Sequence, residues 1–340
     1  MTGTLRIAKV SLQVSLASAV MLTALLLTGA FSPSVASPQN AFLQELKAQN
    51  AHHVTKPIAL PKTTKPPSIE RDWKNKVSRK LWTLSKGPLA IEVTFKKDGP
   101  PDALLYVSPL LSLSVKGKRM ITVEGAESIP DNPIFLVQIA EMDRSNPYAE
   151  VIFSTYTGGA HCCSVTHVLT SSIDGKTWTD IEVGVFDGGP LKVSDLDGNG
   201  VFEFSMRDNA FLYTFGCYAC SASPFKVLRL KDGKFINAST DPAYRIHHIM
   251  SLRRILEWAA PDMDANGFLA GYVAQKSLLG EGAQAWKFMG KYYDRKSDWG
   301  LEECNVKLNN KGECTGQKVK RSYPAALARF LKQNGYALEK

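Results

Sequence analysis

The sequence predicts an α+β protein in which a β-rich repeat domain, either an open propeller-like array or a sandwich, precedes a helical C-terminal region. Three observations predict this class. Short apolar runs lie between turn residues over 87–240, an internal repeat recurs there, and helical periodicity follows over 241–340. A composition of 44% hydrophobic and 21% charged residues excludes disorder, collagen and coiled coil as the main architecture.

Residues 1–36 have the pattern of a secretory signal peptide. Arg6 and Lys9 precede an apolar stretch, and small residues ending at Ala36 occupy the positions that a signal peptidase reads. An uncleaved membrane anchor is the alternative, because residues 10–29 are about long enough to span a bilayer. Cleavage predicts an exported, periplasmic protein in an oxidising compartment.

Residues 37–86 are predicted to form a basic, proline-rich arm. Over 38–72, four prolines alternate with lysines and no apolar periodicity is present, which favours an extended, partly polyproline linker. The formal net charge of +9 divides unevenly, with +7 in this arm, −5 over 87–240 and +5 over 241–340. An exported protein seldom meets nucleic acid. We therefore expect an anionic envelope component or a protein partner, no nucleic acid, and contact with a membrane surface by electrostatics at most.

Local patterns predict the individual elements. Period-two alternation between turn residues predicts strands over 91–95, 104–107, 111–115 and 120–123. The region 241–340 is predicted to be mostly helical, interrupted by a loop around Cys304 and Cys314. Helical spacing or helix-boundary residues mark three segments there, 252–259, 285–292 and 324–334.

An internal repeat organises the β-rich domain. In each copy an Asp-led polar loop follows an apolar strand, and a Glu opens the next strand: Asp143 and Glu150, then Asp195 and Glu203. The Asp residues are 52 positions apart and the Glu residues 53. Such a period is typical of repeated β-sheet units such as propeller blades. Residues 87–240 hold about three units, too few for a closed propeller.

The second copy contains a loop with the pattern of a calcium site. Its hard oxygen donors occupy alternate positions, and Gly200 permits the sharp turn. The predicted ligands are Asp195, Asp197, Asn199, the Val201 carbonyl and Glu203. Closely spaced carboxylates repel one another unless a cation compensates their charge. The alternative is a polar turn without metal, in which the Asp side chains bond their own backbone.

The Asp-x-Asp-x-Asn-Gly-x-x-Glu segment resembles the calcium loop of FG-GAP-type repeats, found in integrin-like or VCBS-like propellers and in exported bacterial proteins. The resemblance is specific over 195–203, weaker over 137–240 and absent from the helical region. It implies a blade-like fold and a bound Ca²⁺. The sequence departs from the family pattern at Glu203, where Asp is usual, and at Ser145, which stands in the first copy where Asp197 stands in the second.

A second Asp-rich segment runs from Asp262 through Asp264 and Asn266. Its position 12 is Val273, not the bidentate Glu that closes an EF-hand coordination sphere. We therefore predict a capped helix start at this segment.

The cysteines fall into two clusters and a separate pair: Cys162 and Cys163, Cys217 and Cys220, and Cys304 and Cys314. An even number of cysteines in an exported chain favours disulfides, with the connectivity left open. Three alternatives concern the two clusters. They are a Cys-x-x-Cys redox centre, a zinc or copper site that includes His161, and a Cys nucleophile with His161 or His167.

The remaining histidines and lysines favour ordinary surface roles. His52 and His53 lie in the predicted linker, and His247 and His248 begin a predicted helix, where solvated or core-edge roles are commoner than ligation. A basic cluster surrounds the last cysteine pair, comprising Lys307, Lys311, Lys318, Lys320 and Arg321.

No Ser-His-Asp motif, phosphate loop, Rossmann fingerprint or H-E-x-x-H motif is present in the sequence. We therefore predict a non-enzymatic envelope binding module that is exported, calcium-binding and disulfide-stabilised. The alternative is an envelope hydrolase or thiol oxidoreductase that uses the His161-Cys162-Cys163 segment.

Overall fold

The computed structural model describes residues 38–72, 81–98, 106–128, 133–260, 263–306, 309–310, 313–336 and 338. The predicted signal peptide lies outside these residues. The described elements are α1 (Pro38–Thr55), β1 (Ser68–Arg71), β2 (Trp82–Lys86), β3 (Leu89–Asp98), β4 (Tyr106–Val115), β5 (Lys118–Glu124), β6 (Ile134–Ala140), β7 (Glu150–Tyr156), β8 (Cys162–Ser171), β9 (Trp178–Asp187), β10 (Val193–Ser194), β11 (Glu203–Arg207), β12 (Phe225–Lys231), β13 (Lys234–Asn237), α2 (Arg245–Trp258), α3 (Ala265–Ser277), α4 (Gly282–Tyr292), β14 (Glu302–Cys304), β15 (Lys318–Lys320) and α5 (Tyr323–Gln333).

The β-rich part contains three antiparallel four-stranded units, β2-β3-β4-β5, β6-β7-β8-β9 and β10-β11-β12-β13. β1 extends the middle sheet beside β6, and β14 and β15 form a separate ribbon. The two copies of the repeat correspond to the middle and third units. The prediction of a β-rich α+β protein with several sheets is confirmed. Within the described residues the sheets do not close into a propeller, and the choice between an open propeller-like array and a sandwich stays a prediction.

The middle sheet is buried on both faces. Every residue of β6 and β7 is buried. Successive side chains of a strand point to opposite faces. Phe135 and Val151 accordingly join the hydrophobic cluster of the first sheet, whereas Ala140 and Ile152 join that of the third. The middle sheet therefore packs between the other two, which explains why β6 is almost continuously apolar.

The helical region has its own core, shared by α1, α2, α3, α4, α5 and residues of the 211–222 segment. Helices α2, α4 and α5 coincide with the three predicted segments. Asp264 caps α3 by accepting the Asn266 N–H at 3.1 Å, as predicted for a capped helix start. Asp262 lies outside the described residues.

The prediction of an extended arm is wrong for residues 38–55, which form α1. Its side chains Phe42, Leu46, Asn50 and His53 are buried at helical spacing. Half of this stripe is polar, so no apolar periodicity marks the helix in the sequence. The proline-rich residues that follow α1 form neither helix nor strand as far as β1.

The predicted domain boundary at residue 86 also needs correction. β1 pairs with β6 and β2 pairs with β3, so both strands belong to the sheets although they precede residue 87. The predicted strands over 104–107 and 111–115 coincide, in the part that is described, with the single strand β4. In the described ranges of the chain, no helix combines the length and hydrophobicity needed to cross a bilayer.

Candidate functional site

The two repeat loops share one structural device, a buried glutamate that closes the loop. Glu150 Oε2 accepts the backbone N–H groups of Met142 at 2.7 Å and Asp143 at 3.2 Å. Glu203 Oε2 accepts the N–H of Leu196 at 3.2 Å, and Leu196, like Asp143, lies 7 residues before its glutamate. The glutamate of each copy therefore holds the Asp-led loop against the first residue of the next strand.

The predicted calcium loop is folded by its own polar side chains. Asp195 Oδ2 accepts the Gly200 N–H at 3.1 Å, Asp197 Oδ1 accepts the Asn199 N–H at 3.1 Å, and Asn199 Oδ1 accepts the Val201 N–H at 2.7 Å. The Asp197 and Asn199 bonds are the Asx turns expected of a metal-free polar turn, and the Asp195 bond spans the whole loop. They also leave carboxylate oxygens for a cation.

The two copies differ in how completely the leading Asp is hydrogen-bonded. In the first copy, Asp143 Oδ1 accepts the Ser145 N–H at 3.0 Å and Oδ2 accepts the Gly233 N–H at 3.2 Å. In the second copy, Asp195 is only 4% exposed and its Oδ1 is buried without a hydrogen-bond partner. A buried polar atom without a partner costs about 1–3 kcal/mol, so this oxygen is the feature that fits a cation.

The closing glutamates differ in the same way. Glu150 Oε1 accepts from Asn146 Nδ2 at 2.8 Å and from Thr170 Oγ1 at 3.0 Å. Glu203 Oε1 is buried without a hydrogen-bond partner and lies 4.0 Å from Arg229 Nε. Burial raises the pKa of both carboxyls to about 7. The carboxylates of the second copy therefore accept fewer hydrogen bonds than those of the first.

The donor set fits Ca²⁺ in chemistry more closely than in spacing. Carboxylate, amide and carbonyl oxygens are the ligands that Ca²⁺ prefers. Within the described residues, however, Asp195, Asp197 and Glu203 do not bring their oxygens within 4.8 Å of one another.

Of the other sequence-predicted residues, His161 and the two cysteine pairs Cys162–Cys163 and Cys217–Cys220 meet at a second cluster. His167 instead pairs with Asp180 on β9, at 3.0 Å. His161 Nδ1 lies 3.1 Å from Asp187 Oδ1, and the Tyr218 hydroxyl donates to Asp187 Oδ2 at 2.6 Å. The rings of His161 and Tyr218 stack with centroids 4.2 Å apart. Hydrogen bonding to Asp187, with burial, raises the pKa of Tyr218 to about 12. The three side chains form one polar and aromatic contact network.

The cysteines lie in three disulfides, Cys162–Cys163, Cys217–Cys220 and Cys304–Cys314. The first follows His161 in the chain and the second brackets Tyr218, so the His161–Tyr218 stack lies beside both. Disulfide sulfurs are neither thiolate ligands nor nucleophiles. The zinc, copper and nucleophile alternatives therefore require reduction first.

Two exposed aromatic residues extend this cluster. Tyr213 is 52% exposed and its ring lies 5.6 Å from that of Tyr218. Its backbone adopts a φ of 59°, and its carbonyl accepts the Trp299 Nε1–H at 2.8 Å. Sequence reasoning missed Asp187, Tyr213 and Trp299. The only signal was the tyrosine inside Cys217-Tyr-Ala-Cys220.

The predicted basic cluster is largely neutralised where it is described. Lys318 pairs with Glu302, Lys320 with Asp298 and Arg321 with Glu303, at 3.6, 3.5 and 2.7 Å respectively. Lys307 and Lys311 lie outside the described residues.

The four histidines for which solvated or core-edge roles were predicted, His52, His53, His247 and His248, all contact polar groups. His247 Nε2 contacts the Leu196 carbonyl at 2.7 Å, which joins α2 to the candidate calcium loop. His248 is buried against the Ser239 carbonyl, and burial lowers its pKa to about 4. His53 is buried too, and it lies in helix α1, where the sequence predicted an extended linker.

The chain is 38% identical over 332 residues to the probable thylakoid lumen protein sll0997 of Synechocystis sp., over 96% of this chain and 93% of that protein. The chain belongs to the sll0997 family. A family model for the sll0997 C-terminal domain matches residues 248–335. Protein y4bJ of Sinorhizobium fredii, named an uncharacterized protein, is 34% identical over 273 residues, which are 78% of this chain and 41% of y4bJ. No solved structure matches.

The sll0997 C-terminal domain covers most of α2 and all of α3, α4 and α5. The candidate calcium loop precedes it. The resemblance of that loop to FG-GAP-type repeats therefore stays a prediction within the sll0997 family.

Proposed function

We propose that the protein is an exported, disulfide-stabilised and calcium-binding module with a non-enzymatic role in the cell envelope. The sll0997 relative is named a probable lumen protein, and a lumen is a non-cytoplasmic compartment. The signal-peptide pattern and three disulfides support the same kind of compartment. We place the protein in the periplasm or an equivalent lumen.

The buried, unpartnered Oδ1 of Asp195 is the single observation that carries the calcium proposal. Ca²⁺ would take this oxygen together with donors from Asp197, Asn199, the Val201 carbonyl and Glu203. When bound, it supplies the positive charge that these donors lack.

The loop lies at a junction, which gives calcium a structural role. Arg144 of the first repeat copy donates to the Asn199 carbonyl at 2.7 Å. On the other side, the Leu196 carbonyl contacts His247 of α2. A rigid loop would therefore fix the middle sheet, the third sheet and the helical region against one another.

Thermal melting with and without Ca²⁺ tests this proposal. Wild-type protein should melt at a higher temperature in Ca²⁺ than in chelator or equimolar Mg²⁺, because binding to the native state alone stabilises it. The variant Asp195→Asn should lose this response. Asp143→Asn is the matched control and should keep it, whatever its own stability. An identical melting temperature for wild type in Ca²⁺ and chelator would refute calcium binding.

The disulfide cluster supports a second candidate, thiol–disulfide exchange with a dithiol of the same compartment. The half-buried pairs Cys162–Cys163 and Cys217–Cys220 each span very few residues and lie beside the His161–Tyr218 stack. In the exchange, the incoming dithiol is oxidised to a disulfide through a mixed disulfide, and one cysteine pair of the protein takes up two electrons and two protons.

Graded reduction of the native protein separates the two candidates. After equilibration with dithiothreitol redox buffers, alkylation and peptide mass analysis count the thiols at each pair. Exchange predicts that Cys162–Cys163 or Cys217–Cys220 opens while the fold and Cys304–Cys314 remain intact. If all three pairs open together with unfolding, the disulfides are structural and exchange is rejected.

An anionic envelope partner remains part of the proposal. The described basic residues near Cys304–Cys314 are ion-paired, so we expect weak, salt-sensitive attraction. Sedimentation with phosphatidylglycerol vesicles at low and physiological salt measures it. Absence of binding at low salt would eliminate the membrane-surface contact.

A further inference from the structure

Two imidazoles and a carboxylate meet where the end of α1 lies against the start of α4. His53 Nε2 lies 2.7 Å from Glu281 Oε1, and His52 Nε2 lies 3.7 Å from the same oxygen. The three donor atoms all fall within 4.8 Å of one another. Among the residues that the structure describes, this is the only group of three or more His, Cys, Asp or Glu side chains so closely gathered.

The carboxylate of Glu281 is held by a buried network. Lys276, which is fully buried, binds Glu281 Oε2 and donates to Asn50 Oδ1 at 3.0 Å. Asn50 Nδ2 in turn donates to the Tyr272 hydroxyl at 3.0 Å. Lys276 thus occupies Oε2 of Glu281, and Oε1 of the same carboxylate faces the histidines.

The rest of the cluster is held on one side and open on the other. The His53 carbonyl accepts the Arg253 Nε–H at 2.7 Å, which fixes the last turn of α1 against α2. The side chain of His53 is 4% exposed and that of Glu281 is 20% exposed, whereas that of His52 is 53% exposed. A position next to His52 is therefore accessible from solvent.

We propose that His52, His53 and Glu281 form a binding site for a divalent first-row transition ion of the Zn²⁺ type. Two imidazole nitrogens and one carboxylate oxygen, with water in the fourth position, are a ligand set that Zn²⁺ uses. Imidazole suits Zn²⁺, Co²⁺, Ni²⁺ and Cu²⁺ better than Ca²⁺, which prefers oxygen donors, so this site differs in metal class from the calcium loop.

Metal binding replaces the contact between His53 and Glu281 with two metal–ligand bonds. The Nε2 proton that faces Glu281 Oε1 leaves to solvent and Nδ1 takes up a proton, so the neutral imidazole binds through Nε2. Lys276 acts as a positioning residue, because a hydrogen bond to the second carboxylate oxygen orients a ligating carboxylate. The bound ion would join the N-terminal helix to the helical region.

Calorimetric titration of the chelator-treated, oxidised protein with Zn²⁺ tests the proposal, and Co²⁺ adds a visible absorption spectrum that reports imidazole ligation. We expect one equivalent of Zn²⁺ to bind in the presence of excess Ca²⁺ and to raise the melting temperature. His52→Ala is the first variant, because its side chain is exposed and the metal-free fold should be unchanged. It should weaken Zn²⁺ binding by at least about tenfold.

Two further variants complete the experiment. His53→Ala should abolish the Co²⁺ spectrum, and circular dichroism reports whether it folds. His161→Ala removes a histidine that also contacts a carboxylate, Asp187, and should leave Zn²⁺ affinity unchanged. No Zn²⁺ binding by wild type, wild-type affinity in His52→Ala, or an equal loss in His161→Ala would each overturn the proposal.

Discussion

Glu150 should make the stability of the protein depend on pH in an unusual direction. Its side chain is fully buried, and burial raises its pKa from 4.5 to about 7. The folded protein therefore holds this proton more tightly than the unfolded chain does. The stabilisation is fully present below the unfolded pKa of 4.5 and is lost as pH rises through about 7. Glu203 should act in the same direction.

The size of the effect follows from the difference between the two pKa values of Glu150. Each pKa unit corresponds to about 1.4 kcal/mol, so the difference amounts to about 3 kcal/mol of unfolding free energy between about pH 4 and pH 8. The variant Glu150→Gln resembles the protonated form, because it is neutral and retains one carbonyl acceptor for the N–H groups of Met142 and Asp143. The variant should therefore lose the pH-dependent part contributed by Glu150.

Urea denaturation followed by tryptophan fluorescence, in chelator and at several pH values, measures this directly. Relative to wild type, Glu150→Gln should gain about 2–3 kcal/mol on going from about pH 5 to about pH 8. The exposed Glu257→Gln on α2 is the control and should follow the wild-type profile. Parallel pH profiles for wild type and Glu150→Gln would refute the assignment of a buried, proton-binding carboxyl.

Packing yields two further predictions, both measured as changes in unfolding free energy. Leu46→Ala should destabilise the protein by about 2–5 kcal/mol, because Leu46 is 1% exposed in the helical core. The control Val54→Ala, at an exposed position of the same helix, should change stability by less than about 0.5 kcal/mol. Equal effects of the two substitutions would contradict the packing of α1. Gly271→Ala places a Cβ against the Ala222 carbonyl and should destabilise the protein by about 1–3 kcal/mol. Gly290→Ala on α4 meets open space and should be neutral or stabilising by up to about 1 kcal/mol. A neutral Gly271→Ala would contradict the close approach of α3 to Ala222.

The sequence predicted those elements whose buried residues are apolar. Helix α4 is amphipathic, with Ala285, Phe288 and Met289 buried at helical spacing. Helix α1 escaped prediction because Asn50 and His53 complete its buried stripe. Their burial depends on partners more than 200 residues away, such as Tyr272 and Glu281. No local pattern contains this information.

The candidate sites, too, could be predicted only where their residues are close together in the sequence. The calcium loop is contiguous, so its donors could be named from spacing alone. The cluster around His161 was foreseen only in part, because Asp187 and Tyr218 reach it through tertiary structure. Asp187 arrives there because it pairs with Cys162 in the register of β8 and β9. A strand register of this kind is set by the packed core and not by a short motif.

The contacts of α1 cross the boundary of the family domain that matches residues 248–335. The matched region begins at residue 248, yet its core includes Phe42 and Leu46 from α1. Phe42 meets the rings of Phe288 and Tyr292 at 5.3 Å each. Loss of two such buried side chains costs several kcal/mol, a large part of a total stability of about 5–15 kcal/mol. The core of the helical region therefore includes residues that precede the sheets in the chain, so the two ends of the described polypeptide pack against each other.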